Sequence, residues 1–184
     1  TRRTIAPTIG TILAVALAKP ANALGYTSTT KYHLAELYLA RMKLLAAGAG
    51  VDLRDAPGKG YGAFATRKIH VHTTVGDYIG ERLTQRDVDV RYGAARSSPE
   101  WCDDDERWMR EREHAGVSCS GNYIFKVEDD VYLDSEDPRF ACWTRYLNHG
   151  EPNLRVKSLP KGYDGKPRVW FVSTRGIAEG EALV

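Results

Sequence analysis

From Val51 onward the chain breaks into short runs in which apolar and polar residues alternate, each bounded by Gly, Pro or Asp. "YGAFA", "TVGDYIG", "NYIFKV", "DVYLDS", "LRVKS" and "RVWFVS" are such runs, and a period of two between turn formers predicts half-buried β-strands. The stretch before them has a different period. "KYHLAELYLARMKLLAAGAG" places Leu34, Leu37 or Tyr38, Met42 and Leu45 near one face at helical spacing, with Gly48 as a natural stop. This predicts an amphipathic helix and linker over 26–50 that packs on the following domain; the alternative is a helix that binds a partner. A charged segment, Gln85 to Glu113, interrupts the strands. Its "SPEWCDDDERWMRERE" has a serine in capping position, a proline at the first helical position and acids in the first turn, so a helical insertion is expected over about 85–113. The run Asp103 to Glu106 reads as a solvated helix face rather than a metal site. The pattern as a whole predicts a mostly β domain over 51–184 that also carries helices.

The first 25 residues have their own layout. Arg2 and Arg3 precede the apolar "IGTILAVALA", and in "KPANALG" the small residues Ala21 and Ala23 flank Asn22. Basic, apolar and small-residue zones in that order resemble a secretory or organellar targeting peptide; the alternative is a core or surface helix. The apolar run is shorter than the about 20 residues that a membrane span requires, so no stable span is expected. Without such a signal the compartment would be nuclear or cytoplasmic. The sequence opens on Thr1 and stops within the apolar "GEALV", so both ends look like cuts.

Composition narrows the partners only slightly. The 184 residues are 42% hydrophobic and 27% charged with a formal net charge of +2, which suits one globular domain with some extra at an end. No long Lys/Arg run or zinc-finger spacing marks a protein that reads nucleic acid directly. Cys102, Cys119 and Cys142 are odd in number and form no Cys-x-x-Cys pair, which argues against a disulfide framework and a zinc site and for buried free thiols. Trp101, Trp108, Trp143 and Trp170 are expected in the core. His33, His70, His72 and His114 are expected on the surface or internally satisfied.

Two stretches carry candidate chemistry. "GKGYGAF", residues 58 to 64, formally satisfies the Gly-x-Gly-x-x-Ala dinucleotide fingerprint, with Glu81 about 20 residues on. The context fails, because that fingerprint requires a helix after it and "YGAFATRKIHVHTTV" alternates like strands. What remains is a glycine turn whose backbone can approach a ligand closely, with Lys59 and Tyr61 beside it; the alternative is an ordinary hairpin turn. The second stretch is "RYLNHGEPNL", residues 145 to 154. It sets Arg145, Asn148 and His149 beside apolar neighbours and then bends at Gly150 and Pro152.

"GKGYGAFATRKI", then "YIGE", "YIF" with "YLD", "RYLNHGEPNL" and "VWFVSTRGIAEGEAL" follow one another in an order that resembles the SET-domain protein lysine methyltransferases, from about Gly58 to Val184. Arg145-Tyr146-Leu147-Asn148-His149 with Pro152-Asn153 carries the resemblance most specifically. It implies a SET-domain fold of several short curved sheets with a pseudoknot-like C-terminal loop, and S-adenosyl-L-methionine as cofactor. By the same resemblance Lys59, Gly60 and Tyr61 cradle the amino-acid end of the cofactor, Asn148 and His149 contact its ammonium and adenine parts, and Arg145 braces the loop. Tyr78 and Tyr123 line the channel for a lysine of a protein or peptide, histone or non-histone. Such chemistry requires no metal. It requires a neutral amine, and an apolar channel lowers a lysine pKa from about 10.4.

The departures are specific. Gly150 and Glu151 replace a longer Ser-Cys-x spacer, so the loop is one residue shorter. The family's Asp-Tyr pair, whose tyrosine is a central phenol, would follow the last residue given, so a domain truncated at its C-terminus is expected. The alternative function is a non-catalytic SET-like module that binds cofactor or peptide.

Overall fold

The apolar face around Met42 becomes helix α1, Ser28–Gly48, which lays Met42 and Ala46 completely buried against the first strand. A computed structural model describes residues 28–162 and 164–184; the targeting-like stretch at 1–25 and the side chain of His33 lie outside them. The burial settles one choice on α1. Tyr38 is half-buried on the inner face with Leu45, whereas Leu37 is 65% exposed. No helix among the described residues is long and apolar enough to cross a membrane.

The alternating runs form three small antiparallel sheets. Strand β1, Val51–Ala56, pairs with β2, Gly60–Ala65, as a hairpin that joins Val51 to Ala65 and Ala56 to Gly60. Sequence patterning did not single out β1, although its Val51 and Leu53 are buried and Asp52 and Arg54 are exposed. The second sheet has the order β3, β8, β7, with β3 at Thr74–Tyr78, β7 at Leu154–Leu159 and β8 at Arg168–Ser173. The third has the order β4, β6, β5, from Glu81–Leu83, Val131–Asp134 and Ile124–Glu128. The three-residue β4 was not expected either, being too short for a period to show. No helix follows β2, which removes the dinucleotide fold on the ground expected.

Between β4 and β5 lie the short helix α2, Gln85–Val88, an irregular helical stretch to Ser97, and α3, Asp103–Ala115. The start of α3 differs from expectation. Ser98 and Pro99 form a turn, and the cap is Cys102, whose backbone N–H donates to Asp105 Oδ2 at 3.2 Å. The acidic run is not uniformly solvated. Asp103 and Asp104 are exposed, but Asp105 is completely buried and accepts from Arg86 Nη1 and Arg91 Nε, both at 2.9 Å. A carboxylate out of water requires such partners. The free thiols also divide: Cys142 is buried, whereas Cys102 and Cys119 are exposed, because the capped end of α3 and the loop after it face solvent. Of the tryptophans, Trp108 and Trp143 are core while Trp101 and Trp170 are half-buried.

Arg112 fastens α3 to the third sheet. Its side chain is 1% exposed, lies 4.1 Å from the Trp108 ring centroid, and forms an ion pair with Asp134 at the end of β6. Glu81 Oε2 stands 3.5 Å away, and Tyr92 Oη donates to Asp134 Oδ2 at 2.5 Å. Burial and this hydrogen bond push the Tyr92 phenol well above its ordinary range.

Two outcomes are expected. Arg112→Ala leaves the buried Asp134 carboxylate without its cation and lowers the unfolding free energy by about 3 to 5 kcal/mol in urea denaturation, whereas Arg107→Ala on the exposed face of α3 changes it by under about 1 kcal/mol. Asp105 is held well below the usual carboxylate range by hydrogen bonds from Arg86. Its contribution is therefore complete above the unfolded pKa of about 3.9 and is lost as pH falls below it. Asp105→Asn removes about 3 kcal/mol at pH 7 and flattens the acid limb of stability below about pH 4, measured by denaturation across pH.

Candidate active site

The turn into β2 and the loop after the 3-10 turn Trp143–Tyr146 come together. Asn148 Nδ2 donates to Tyr61 O at 3.1 Å, and Lys59 Nζ donates to His149 O at 2.6 Å. Lys59, Gly60, Tyr61, Asn148 and His149 are thus stitched into one cluster across about 90 residues of sequence. Gly60 holds a φ of +70°, and no atom lies within 4 Å of where its Cβ would stand. Positive φ suits glycine, and the space beside it leaves the backbone open to a ligand. The His149 ring is exposed.

Asn153 holds this loop in place. It is 1% exposed, and its Nδ2 donates to Ala182 O at 2.7 Å while its Oδ1 accepts from Val184 N at 3.0 Å. On the other side, Leu183 N donates to Ala63 O and Ala65 N donates to Glu181 O, both along β2. Residues 181–184 therefore run between β2 and the Asn148 loop, the knot-like arrangement expected of the C-terminal region. The shortened spacer lies close on this segment, with Gly150 set directly against Val184.

Tyr78, the last residue of β3, donates through Oη to Tyr123 O at 2.6 Å. Its ring packs 5.9 Å from Phe125 and 6.3 Å from Phe171, between centroids. Burial pushes the Tyr78 phenol up to about 12. Two residues on, Gly80 permits a close approach: a Cβ there would stand 2.5 Å from Asp134 O. The Tyr-x-Gly spacing thus has a steric cause. Ser135 then ties the two strands together, its hydroxyl donating to Ile79 O and its N–H to Tyr123 O at 3.0 Å. An open cleft of about 760 Å³ begins at Tyr78; Ile79, Leu133, Leu159 and Pro167 line it together with the charged Asp77, Arg82, Asp164, Lys166 and Arg168.

Arg145 connects the two clusters. Its guanidinium lies 4.2 Å from the Tyr123 ring centroid and 5.7 Å from that of Tyr146, and Nη1 donates to Glu136 O at 3.1 Å. Tyr146 in turn meets Tyr61 edge-on at 6.1 Å. A continuous line of contacts therefore runs from Tyr61 through Tyr146, Arg145 and Tyr123 to Tyr78. Sequence reasoning missed Tyr146, Phe125, Phe171 and Ser135 as members of this site. The first three stood inside motifs already singled out, and alternation within "NYIFKV" and "RVWFVS" marks Phe125 and Phe171 as sharing faces with Tyr123 and Val169. Nothing local marked Ser135.

Comparison with known proteins matches residues 60–184 to the SET domain family. Among curated proteins, the histone-lysine N-methyltransferase, H3 lysine-4 specific, of Aspergillus fumigatus is 23% identical over 124 residues, 67% of this chain and 8% of that protein. The protein of the same description from Schizosaccharomyces pombe is 25% identical over 123 residues, 66% of this chain and 11% of that protein. The chain thus spans only a small part of the length of the relatives it matches. The family match runs from Gly60 of the glycine turn through the tyrosine cleft and the knotted loop, and on it the chain belongs to the SET domain family.

Proposed function

We propose that this domain is an S-adenosyl-L-methionine-dependent protein-lysine N-methyltransferase, with the cofactor held by Lys59 to Tyr61 and by Asn148 and His149, and the lysine received at Tyr78. The observation that supports this reading most is the line of contacts that joins those two clusters through Arg145. The residues suit the cofactor. The open backbone at Gly60 suits the amino-acid end, and the Asn148 amide and His149 imidazole offer donors and acceptors for charged and heterocyclic groups. When bound, the cofactor supplies a methyl group on a positively charged sulfur.

The chain's own residues account for the rest. The surroundings that desolvate Tyr78 and raise its pKa to about 12 also disfavour an ammonium ion, so a lysine beside it more readily becomes neutral. At neutral pH the phenol keeps its proton and acts by orienting its oxygen, not as a base. With its proton given to Tyr123 O, that oxygen retains acceptor capacity toward polarised C–H or N–H groups, worth about 0.5 to 1 kcal/mol for each C–H contact. Substrates of the relatives are named as lysine 4 of histone H3; for this chain the substrate is proposed only as a lysine in a protein, histone or not.

Asn148→Ala is expected to weaken cofactor binding by roughly 10- to 100-fold in calorimetry with the fold retained, the loss expected for a hydrogen bond to a charged group. An unchanged affinity would remove Asn148 from the cofactor site. Tyr78→Phe is expected to lower methyl transfer to a lysine substrate by about tenfold while leaving cofactor affinity unchanged. In the same assay the rate rises with pH as the substrate amine loses its proton, and Tyr78 contributes no descending limb below its pKa of about 12. Cofactor binding without any transfer to lysine would favour the non-catalytic module instead.

A further inference from the structure

We propose that the pocket between the end of α1 and the start of β3 binds a phosphate monoester, at a site distinct from the Tyr78 cleft and from the cofactor loops. The pocket has a volume of about 350 Å³, with Arg67, Lys68, His70, Thr73 and Thr74 on its walls together with apolar surface that includes Ala49. Among the described residues no carboxylate lines it.

The backbone beneath these side chains is tied down. Ile69 is buried and exchanges two backbone hydrogen bonds with Ile177, each 2.9 Å. Side chains alternate along such an extended segment, so Lys68 and His70 share one side of it. Arg67 lies against the end of α1, where a Cβ at Gly50 would stand 2.7 Å from its Nε. The turn that follows is tied down by Ser173, whose Oγ donates to His70 O at 2.6 Å and accepts from Thr73 N at 2.9 Å.

Neither cation at this pocket is paired among the described residues, in contrast to several arginines elsewhere. Arg86, Arg91, Arg96, Arg112, Arg139 and Arg168 each have a carboxylate partner. Among the described residues Arg67 and Lys68 have none, although both stand at one concavity, and the Thr73 and Thr74 hydroxyls make no hydrogen bond there. Two cations, an imidazole and two hydroxyls, all exposed on the walls of one pocket, suit a tetrahedral dianion with several acceptor oxygens. A phosphate monoester has three such oxygens and close to two negative charges at neutral pH. A polynucleotide backbone offers a single charge per phosphate along a ridge rather than a dianion. The apolar wall accommodates the carbon substituent of an ester, which a small phosphate ester or a phosphorylated protein side chain would supply alike.

The test is a titration of the isotope-labelled protein, followed by amide chemical shifts. The probes are phenyl phosphate, a neutral phosphoserine peptide and dimethyl phosphate. Saturable shifts are expected at residues 67–75 with the first two and not with the diester. The stronger of the two responses tells whether the ligand is a small ester or a phosphoprotein. The exposed pair Arg67→Ala and Lys68→Ala is expected to weaken binding by about tenfold or more, as loss of charge-assisted hydrogen bonds requires, with the thermal unfolding midpoint and the cofactor affinity unchanged. If the double variant does not fold, Lys68→Gln alone is expected to weaken binding in the same direction. Absence of saturable shifts at 67–75, an equal response to dimethyl phosphate, or unchanged binding in the folded variant would each overturn the proposal.

Discussion

The glycine turn and the Asn148 loop are held together by the grip of Asn153 on residues 181–184. A buried amide is costly unless its donors and acceptor are used, and here both ends are used on the same short segment. Its backbone joins in, with the N–H groups of Asn153 and Leu154 both donating to Val184 O at 3.0 Å. That segment is simultaneously edge-paired with β2, so one side chain couples the glycine turn to the loop that carries Asn148 and His149. Glu181 adds to the clamp: Arg175 and the Ala178 N–H hold its carboxyl down at about 2, and it accepts from Asn153 Nδ2 at 3.1 Å. Loops closed at both ends in this way can hold polar groups at an angstrom scale that free loops cannot.

The helical insertion is held by different forces. Within it the buried Asp105 holds Arg86 and Arg91, and the buried Arg112, lying against Trp108, pairs with Asp134 of the third sheet. Buried ion pairs add little net stability compared with apolar packing, because desolvation offsets most of the attraction. They do penalise every arrangement in which one partner is left alone. Asp134 precedes Ser135, which ties Ile79 to Tyr123, and Gly80 sits directly on the Asp134 backbone. The insertion is therefore anchored one residue from the clamp that aligns Tyr78.

At Tyr78 packing is linked to chemistry. Tyr78 is surrounded by Phe125 and Phe171, and the burial that raises its pKa is the burial that would favour a neutral amine next to it. Arg145 lies between this region and the glycine turn as a cation over the ring of Tyr123, a placement that keeps its charge in contact with aromatic faces rather than with a carboxylate.

By itself the sequence determined what short-range periodicity and turn chemistry can determine. Alternation placed six of the strands, helical spacing placed α1 around Met42, and the order of the motifs identified the family. The short β4 and the alternating β1 escaped because two or three apolar positions carry too weak a period to stand out. Only the tertiary structure decided which charges go inside. Asp103 and Asp105 are alike in sequence, and what separates them is the position of Arg86 and Arg91 across the insertion. In the same way the sequence supplied Lys59, Tyr61, Asn148 and His149 as residues with suitable chemistry, but their meeting rests on hydrogen bonds that span about 90 residues. Long-range contacts of that kind leave no local trace in a chain, because their energy depends on distance in space and not on separation in sequence.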